Sequence, residues 1–154
     1  MIFEEPMPIQ DVIITIKSAQ TVDGEDDKLE FITQGTLMLA EDGVRLSYTE
    51  SELTGLDGTR TDFLITDGAV ILSRRGDVSS RMVFRVGSRE PFSYDTPYGT
   101  LAMHTDTYKI KNTLSAHGGS LEIEYDLDLE KTVISRNRFC VEVREKGNKE
   151  HEFD

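Results

Sequence analysis

Residues 121–130 read Leu-Glu-Ile-Glu-Tyr-Asp-Leu-Asp-Leu-Glu, an apolar–acidic alternation without one break. Successive side chains of a β-strand point to opposite faces, so this order puts Leu, Ile and Tyr on one face and carboxylates on the other. A helix would scatter both sets around its circumference. The segment is a half-buried antiparallel strand, and it makes the fold class all-β. The same patterning predicts strands over about 10–18, 29–40, 44–53, 59–66, 69–75, 79–87, 100–113, 119–129 and 132–145. Asp42-Gly43, Asp67-Gly68 and Gly118-Gly119 fall between them, and such pairs supply the positive φ of tight hairpin turns. Thr96-Pro97-Tyr98-Gly99 suits a type I turn, and Glu130-Lys131 reads as a two-residue turn. Consecutive antiparallel strands joined so tightly form an up-and-down meander. Closing it into a barrel of about eight to ten strands removes the exposed edges.

At 154 residues the chain has the size of one domain, spanning 1–154 with its core over about 10–145 and a frayed polar tail over 146–154. An apolar content of 37 % is low, but a single-layer barrel with a solvated outer wall needs little more. The formal net charge is −12, which repels phosphate. Nucleic acid and anionic membrane surfaces are accordingly not expected as partners. The apolar runs Val12–Ile14 and Ala69–Leu72 are too short for spanning helices. The acidic start Met-Ile-Phe-Glu-Glu-Pro lacks the basic-then-apolar order of a signal peptide, and a lone Cys140 asks for no oxidising compartment. A cytoplasmic location is the expectation.

Residues 20–28, Gln-Thr-Val-Asp-Gly-Glu-Asp-Asp-Lys, read as an acidic surface loop. The alternating Asp23, Glu25 and Asp27 suggest Ca²⁺, but the rest of the 12-residue EF-hand pattern is missing. No metal or cofactor is expected. The phosphate-binding, dinucleotide and Gly-x-Ser-x-Gly signatures are absent, and His104, His117 and His151 are scattered.

Function then depends on what points inward. Parity puts Val44, Leu46 and Tyr48 on one face and carries Glu50 and Glu52 with them. It puts Arg74 after Val70 and Leu72, Val86 after Met82 and Phe84, Leu101, Met103, Thr105 and Thr107 on one inner row, and Val133 at the head of the last inner row. Tyr125 is the one polar-tipped residue on the apolar face of 121–129. Arg60 is a further candidate for the same cluster. Unpaired buried charge is costly, which leaves three readings for these polar groups: a solvated rim, a Glu–Arg pair plugging one barrel end, or a polar floor that orients a ligand. The candidate binding residues are therefore Tyr48, Glu50, Glu52, Arg60, Arg74 and Tyr125. A rival reading has the interior closed by Phe84, Met103 and Phe139, leaving a structural or interaction module, such as a homodimer. A third makes Glu50 and Glu52 the acid–base pair of a hydrolase, although no accompanying nucleophile or oxyanion donor is evident.

Four blocks carry a resemblance. They are Tyr48-Thr49-Glu50-Ser51-Glu52 leading to Gly55-Leu56-Asp57-Gly58-Thr59-Arg60-Thr61; Arg74-Arg75-Gly76 followed by Met82-Val83-Phe84; Tyr94-Asp95-Thr96-Pro97-Tyr98-Gly99; and Gly118-Gly119-Ser120-Leu121 through Tyr125-Asp126-Leu127. In this order and spacing the chain resembles the YwiB-like family of small bacterial proteins of unknown function. The resemblance implies a calycin-like antiparallel barrel, the architecture of lipocalins and streptavidin. It implies no activity and no site. Ligand binding follows from it only by analogy of fold.

Overall fold

Ten antiparallel strands close on themselves in a computed structural model that describes residues 9–51, 54 and 56–146. They are β1 (Ile9–Val22), β2 (Glu25–Ala40), β3 (Gly43–Thr49), β4 (Arg60–Ile65), β5 (Val70–Arg75), β6 (Ser79–Phe84), β7 (Arg89–Thr96), β8 (Gly99–Asn112), β9 (Gly119–Leu129) and β10 (Thr132–Glu145). Each pairs with its sequence neighbour, and β1 pairs with β10 to close the ring. The expected tail lies outside the described residues from 147 onward.

Alternation does what the sequence demands of it. Leu121 and Ile123 of β9 face a core that also holds Val12, Ile14 and Ile16 of β1, Phe63 and Ile65 of β4, and Val141 and Val143 of β10. Rings from opposing walls meet inside. Phe63 of β4 stacks on Phe139 of β10 with centroids 5.5 Å apart, and Phe84 of β6 tilts against Tyr125 of β9 at 4.7 Å. Those contacts fill the middle of the barrel with apolar and aromatic surface.

Several expected features are corrected. Residues 20–28 are no loop: β1 runs to Val22, β2 starts at Glu25, and Asp23 (φ 50°) and Gly24 (φ 79°) make a two-residue turn of the left-handed kind that Asp-Gly favours. Residues 89–96, not among the expected strands, form β7 around Phe92. Val133 points out, 57 % exposed, because the register with β9 slips between Val133 and Ser135. Inserting one residue there turns the preceding side chains to the other face. Val86 is also exposed, since β6 ends at Phe84, and so is Leu101, which lies at the turn end of β8. Gly43 does not sit in a positive-φ turn. A Cβ there would lie 1.9 Å from the carbonyl oxygen of Ile65, so this position needs glycine for close approach of β3 to β4. Glu130 and Lys131 do form their two-residue turn, at φ 52° and 70°.

One end of the barrel is unevenly walled. β3 pairs with β2 only over residues 35–40, so residues 25–34 of β2 run on with β1 alone. The chain leaving β3 crosses there as a loop, tied by the Glu50 N–H donating to Thr59 O at 2.7 Å and the Gly58 N–H donating to Glu50 O at 3.2 Å. Leu29 and Phe31 of β2, with Thr54 and Leu56 of that loop, border an opening into the barrel.

Candidate functional site

Behind that opening lies a cavity of about 220 Å³. Its walls are Ile16, Leu29, Phe31 and Phe139 on the apolar side, and Tyr48, Glu50, Arg74, Tyr125 and Asn137 on the polar side. Strand register explains the polar set. Tyr48 of β3 stands beside Thr61 of β4, Thr61 beside Arg74 of β5, and Arg74 beside Ser80 of β6, one inward-facing row across four strands. On the opposite wall Thr107 of β8, Tyr125 of β9, Asn137 of β10 and Gln20 of β1 are successive register partners.

Glu50 is buried, with a side chain only 2 % exposed, so it is not on a solvated rim. Its carboxylate accepts from the Thr61 hydroxyl at 2.5 Å and from the Tyr48 hydroxyl. Burial, reinforced by the Glu50 charge, pushes the Tyr48 hydroxyl far above the ordinary tyrosine range and keeps it a neutral donor. Arg74 approaches the same carboxylate, Nε to Oε2, at 3.9 Å. That is an ion pair but too long for a hydrogen bond. Arg74 donates no hydrogen bond among the described residues, and its buried Nε has no partner. The Tyr125 ring is enclosed by Phe84 and the wall, which raises its hydroxyl above the usual value, yet part of it stays accessible because it borders the cavity. Its hydroxyl likewise has no hydrogen-bond partner among the described residues. The buried hydroxyls of Ser80 and Thr107 are unpartnered as well.

The structure thus brings Tyr48, Glu50, Arg74 and Tyr125 together. It separates Arg60, which is exposed on the outer face and pairs with Asp62 at 3.4 Å. Phe63 and Ile65 are buried, so residues of their parity point inward and Arg60 cannot. Glu52 lies outside the described residues. Thr61, Ser80 and Thr107 complete the polar inner face; parity gives Thr107, while Thr61 and Ser80 are not among the expected inward residues. The signal for Thr61 was present in the same Phe63–Ile65 alternation. Of the occluding trio, Phe84 and Met103 are buried in the core without lining the cavity, and Phe139 forms part of its wall.

A larger hollow of about 670 Å³ lies outside, along β1, β2, β9 and β10. Most of its charges already serve one another, Lys28 and Lys111 aside: Lys17 pairs with Glu30 at 3.7 Å and Glu142 at 3.9 Å, and Arg138 with Glu122 at 2.5 Å. Those contacts, with Lys109 at 2.8 Å, hold the Glu122 carboxyl down at about 2. Cys140 faces this groove beside Glu122, and burial raises its thiol, which disfavours the nucleophilic thiolate. The groove is a solvated ion-pair surface, and the interior cavity is the better candidate site.

Residues 14–141 match the model of a family described as a domain of unknown function, DUF1934. The chain belongs to that family. This DUF1934 chain is 28 % identical over 116 residues to the uncharacterized β-barrel protein YwiB of Bacillus subtilis (strain 168), covering 75 % of this chain and 80 % of that one. The crystal structure of the ywiB protein from Bacillus subtilis is similar with a TM-score of 0.82, over 91 % of this chain and 95 % of that chain, at 24 % identity. The resemblance carried by Thr96-Pro97-Tyr98-Gly99 and its companion blocks holds, and so does the closed antiparallel barrel. Among the described residues no helix is long and apolar enough to cross a membrane.

Proposed function

We propose that this barrel binds one small amphipathic molecule in its interior and performs no chemistry on it. The observation that carries the reading is a cavity with apolar walls at one side and hydrogen-bonding groups without partners at the other. A polar group withdrawn from water without a partner costs free energy that a ligand restores. The volume, about 220 Å³, lies below the ~300 Å³ at which pockets for drug-sized molecules begin. A ligand on the order of ten non-hydrogen atoms suits it. Against catalysis, Glu50 is already engaged by Thr61 and Tyr48. The barrel architecture supports a calycin-like carrier by analogy only. The acidic surface and lone Cys140 favour the cytoplasm and disfavour nucleic acid and anionic membranes as partners.

Native mass spectrometry of freshly purified protein tests this reading. We expect a co-purifying adduct of low mass that is lost on denaturation and lost from a variant in which Ser18, on the β1 wall of the cavity, is replaced (Ser18→Phe) so that the ring fills the space. Bare protein in every preparation, together with unchanged binding of added amphiphiles by Ser18→Phe, contradicts it. An interaction module remains as the second reading, supported by Tyr98, Leu101, Val133 and Ile134, which are apolar and exposed. A strictly monomeric solution mass removes the homodimer form of it.

A further inference from the structure

We propose that the molecule held in this cavity carries a single negative charge, a carboxylate, and that Arg74 and Tyr125 are its receptors. The inference rests on the interior-binding reading and adds the chemistry of the ligand's head. It follows from an inventory of which groups are spent. Glu50, the acceptor, is nearly sealed and already takes the hydroxyls of Thr61 and Tyr48. The unspent charged group at the cavity is a donor, beside the amides of Gln20 and Asn137, which can give or accept. Arg74 carries five N–H groups and gives none of them to a described residue, although its side chain is 21 % exposed and lines the cavity. Tyr125 has a free hydroxyl on the facing wall. Asn137 already directs its amide N–H to Ser135 Oγ at 3.0 Å.

A site whose spare charge is a cationic donor selects an anionic acceptor, and guanidinium keeps its charge at every accessible pH. The size of the charge follows too. Arg138 also borders the cavity but is spent on Glu122, so Arg74, partly offset by Glu50 at 3.9 Å, balances one negative charge in low-dielectric surroundings and leaves a second uncompensated. That favours a carboxylate over a phosphate dianion, and the planar guanidinium fork matches a carboxylate's two oxygens. An ammonium head would have to displace Arg74 from Glu50 and leave the guanidinium buried against like charge. The apolar tail of the carboxylate then lies on Ile16, Leu29, Phe31 and Phe139.

Isothermal calorimetry with three probes of equal chain length, octanoate, 1-octanol and octylammonium, tests the assignment on the wild-type protein. Octanoate is expected to bind at least tenfold more tightly than the other two. Arg74→Gln should weaken octanoate by about tenfold or more and leave 1-octanol within about threefold. Tyr125→Phe, which removes a hydroxyl with no partner and leaves the ring on Phe84, should keep the fold and weaken octanoate by about three- to tenfold. It decides the matter should Arg74→Gln not fold. Equal binding of octanoate and 1-octanol, tighter octylammonium, or an unaffected Tyr125→Phe overturns the anion assignment while leaving interior binding intact. No binding of any of the three overturns interior binding and this inference with it.

Discussion

Replacing Arg74 by Met tests how the interior polar cluster is held. In the folded protein Arg74 Nε lies 3.9 Å from the Oε2 of Glu50, whose side chain is almost wholly buried. Two unit charges at that separation attract by about 4 kcal/mol at an effective dielectric constant of ~20. Arg74 is one-fifth exposed, so solvent screening trims this. Breaking a buried pair and leaving one charge behind costs about 3–5 kcal/mol, although the Thr61 and Tyr48 hydroxyls go on stabilising the carboxylate. We expect Arg74→Met to lose about 3 kcal/mol, which for a chain of this length corresponds to about 6–12 °C in Tm. Removing both charges, in Glu50→Gln with Arg74→Met, should cost much less than the sum of the single changes. Urea unfolding of the four proteins closes a double-mutant cycle. The expected coupling is at least about 2 kcal/mol. An Arg74→Met loss below about 1 kcal/mol, or additive single changes, refutes the buried pair.

The outer wall and the tyrosines give further checks. Glu122 is held at about 2 by Lys109 and Arg138, a depressed carboxyl whose stabilisation is present above its unfolded value near 4.5 and is lost as pH falls through about 2. Glu122→Gln should therefore flatten the acid limb of stability between those values, and an unchanged limb refutes the ion-pair account. Tyr48 and Tyr125 are raised, chiefly by burial. In alkaline difference absorbance both should stay protonated through the ordinary tyrosine range, and the fold should weaken as pH climbs past the unfolded tyrosine value of about 10. Titration of Tyr48 within that ordinary range contradicts its burial beside Glu50. Gly43→Ala forces a Cβ against the Ile65 carbonyl, which belongs to the backbone and cannot swing aside. It should cost about 1–3 kcal/mol by thermal or urea unfolding, with no change in ligand binding.

Strands with one buried face were legible because burial writes itself as alternation. Residues 121–129 and the inner row from Ser135 to Val143 lie as their parity requires. The failures have local causes. Val133 was misplaced by a bulge, which depends on pairing with β9 rather than on any residue type. β7 carries Pro91 and charged Arg89 and Glu90, and only Phe92 of its residues is fully buried, so its pattern is faint. Polar residues fill both faces of 20–28, and the Asp23-Gly24 turn was the one legible mark of a hairpin there. In the site, Tyr48, Glu50, Arg74 and Tyr125 emerged as polar groups on apolar faces. Thr61 and Ser80 beside them did not, because small hydroxyl residues look alike on inner and outer faces, whereas Thr107 followed from the parity of Met103 and Thr105.

Whether the interior at this end is a binding site can be read by amide and methyl chemical-shift mapping during titration with octanoate. Saturable shifts are expected to be confined to Ile16, Ser18, Phe31, Arg74, Tyr125 and Phe139, whose side chains border the cavity. Shifts concentrated instead at Lys17, Glu30, Glu122 and Cys140 on the outer groove, or none at saturating probe, would contradict interior binding.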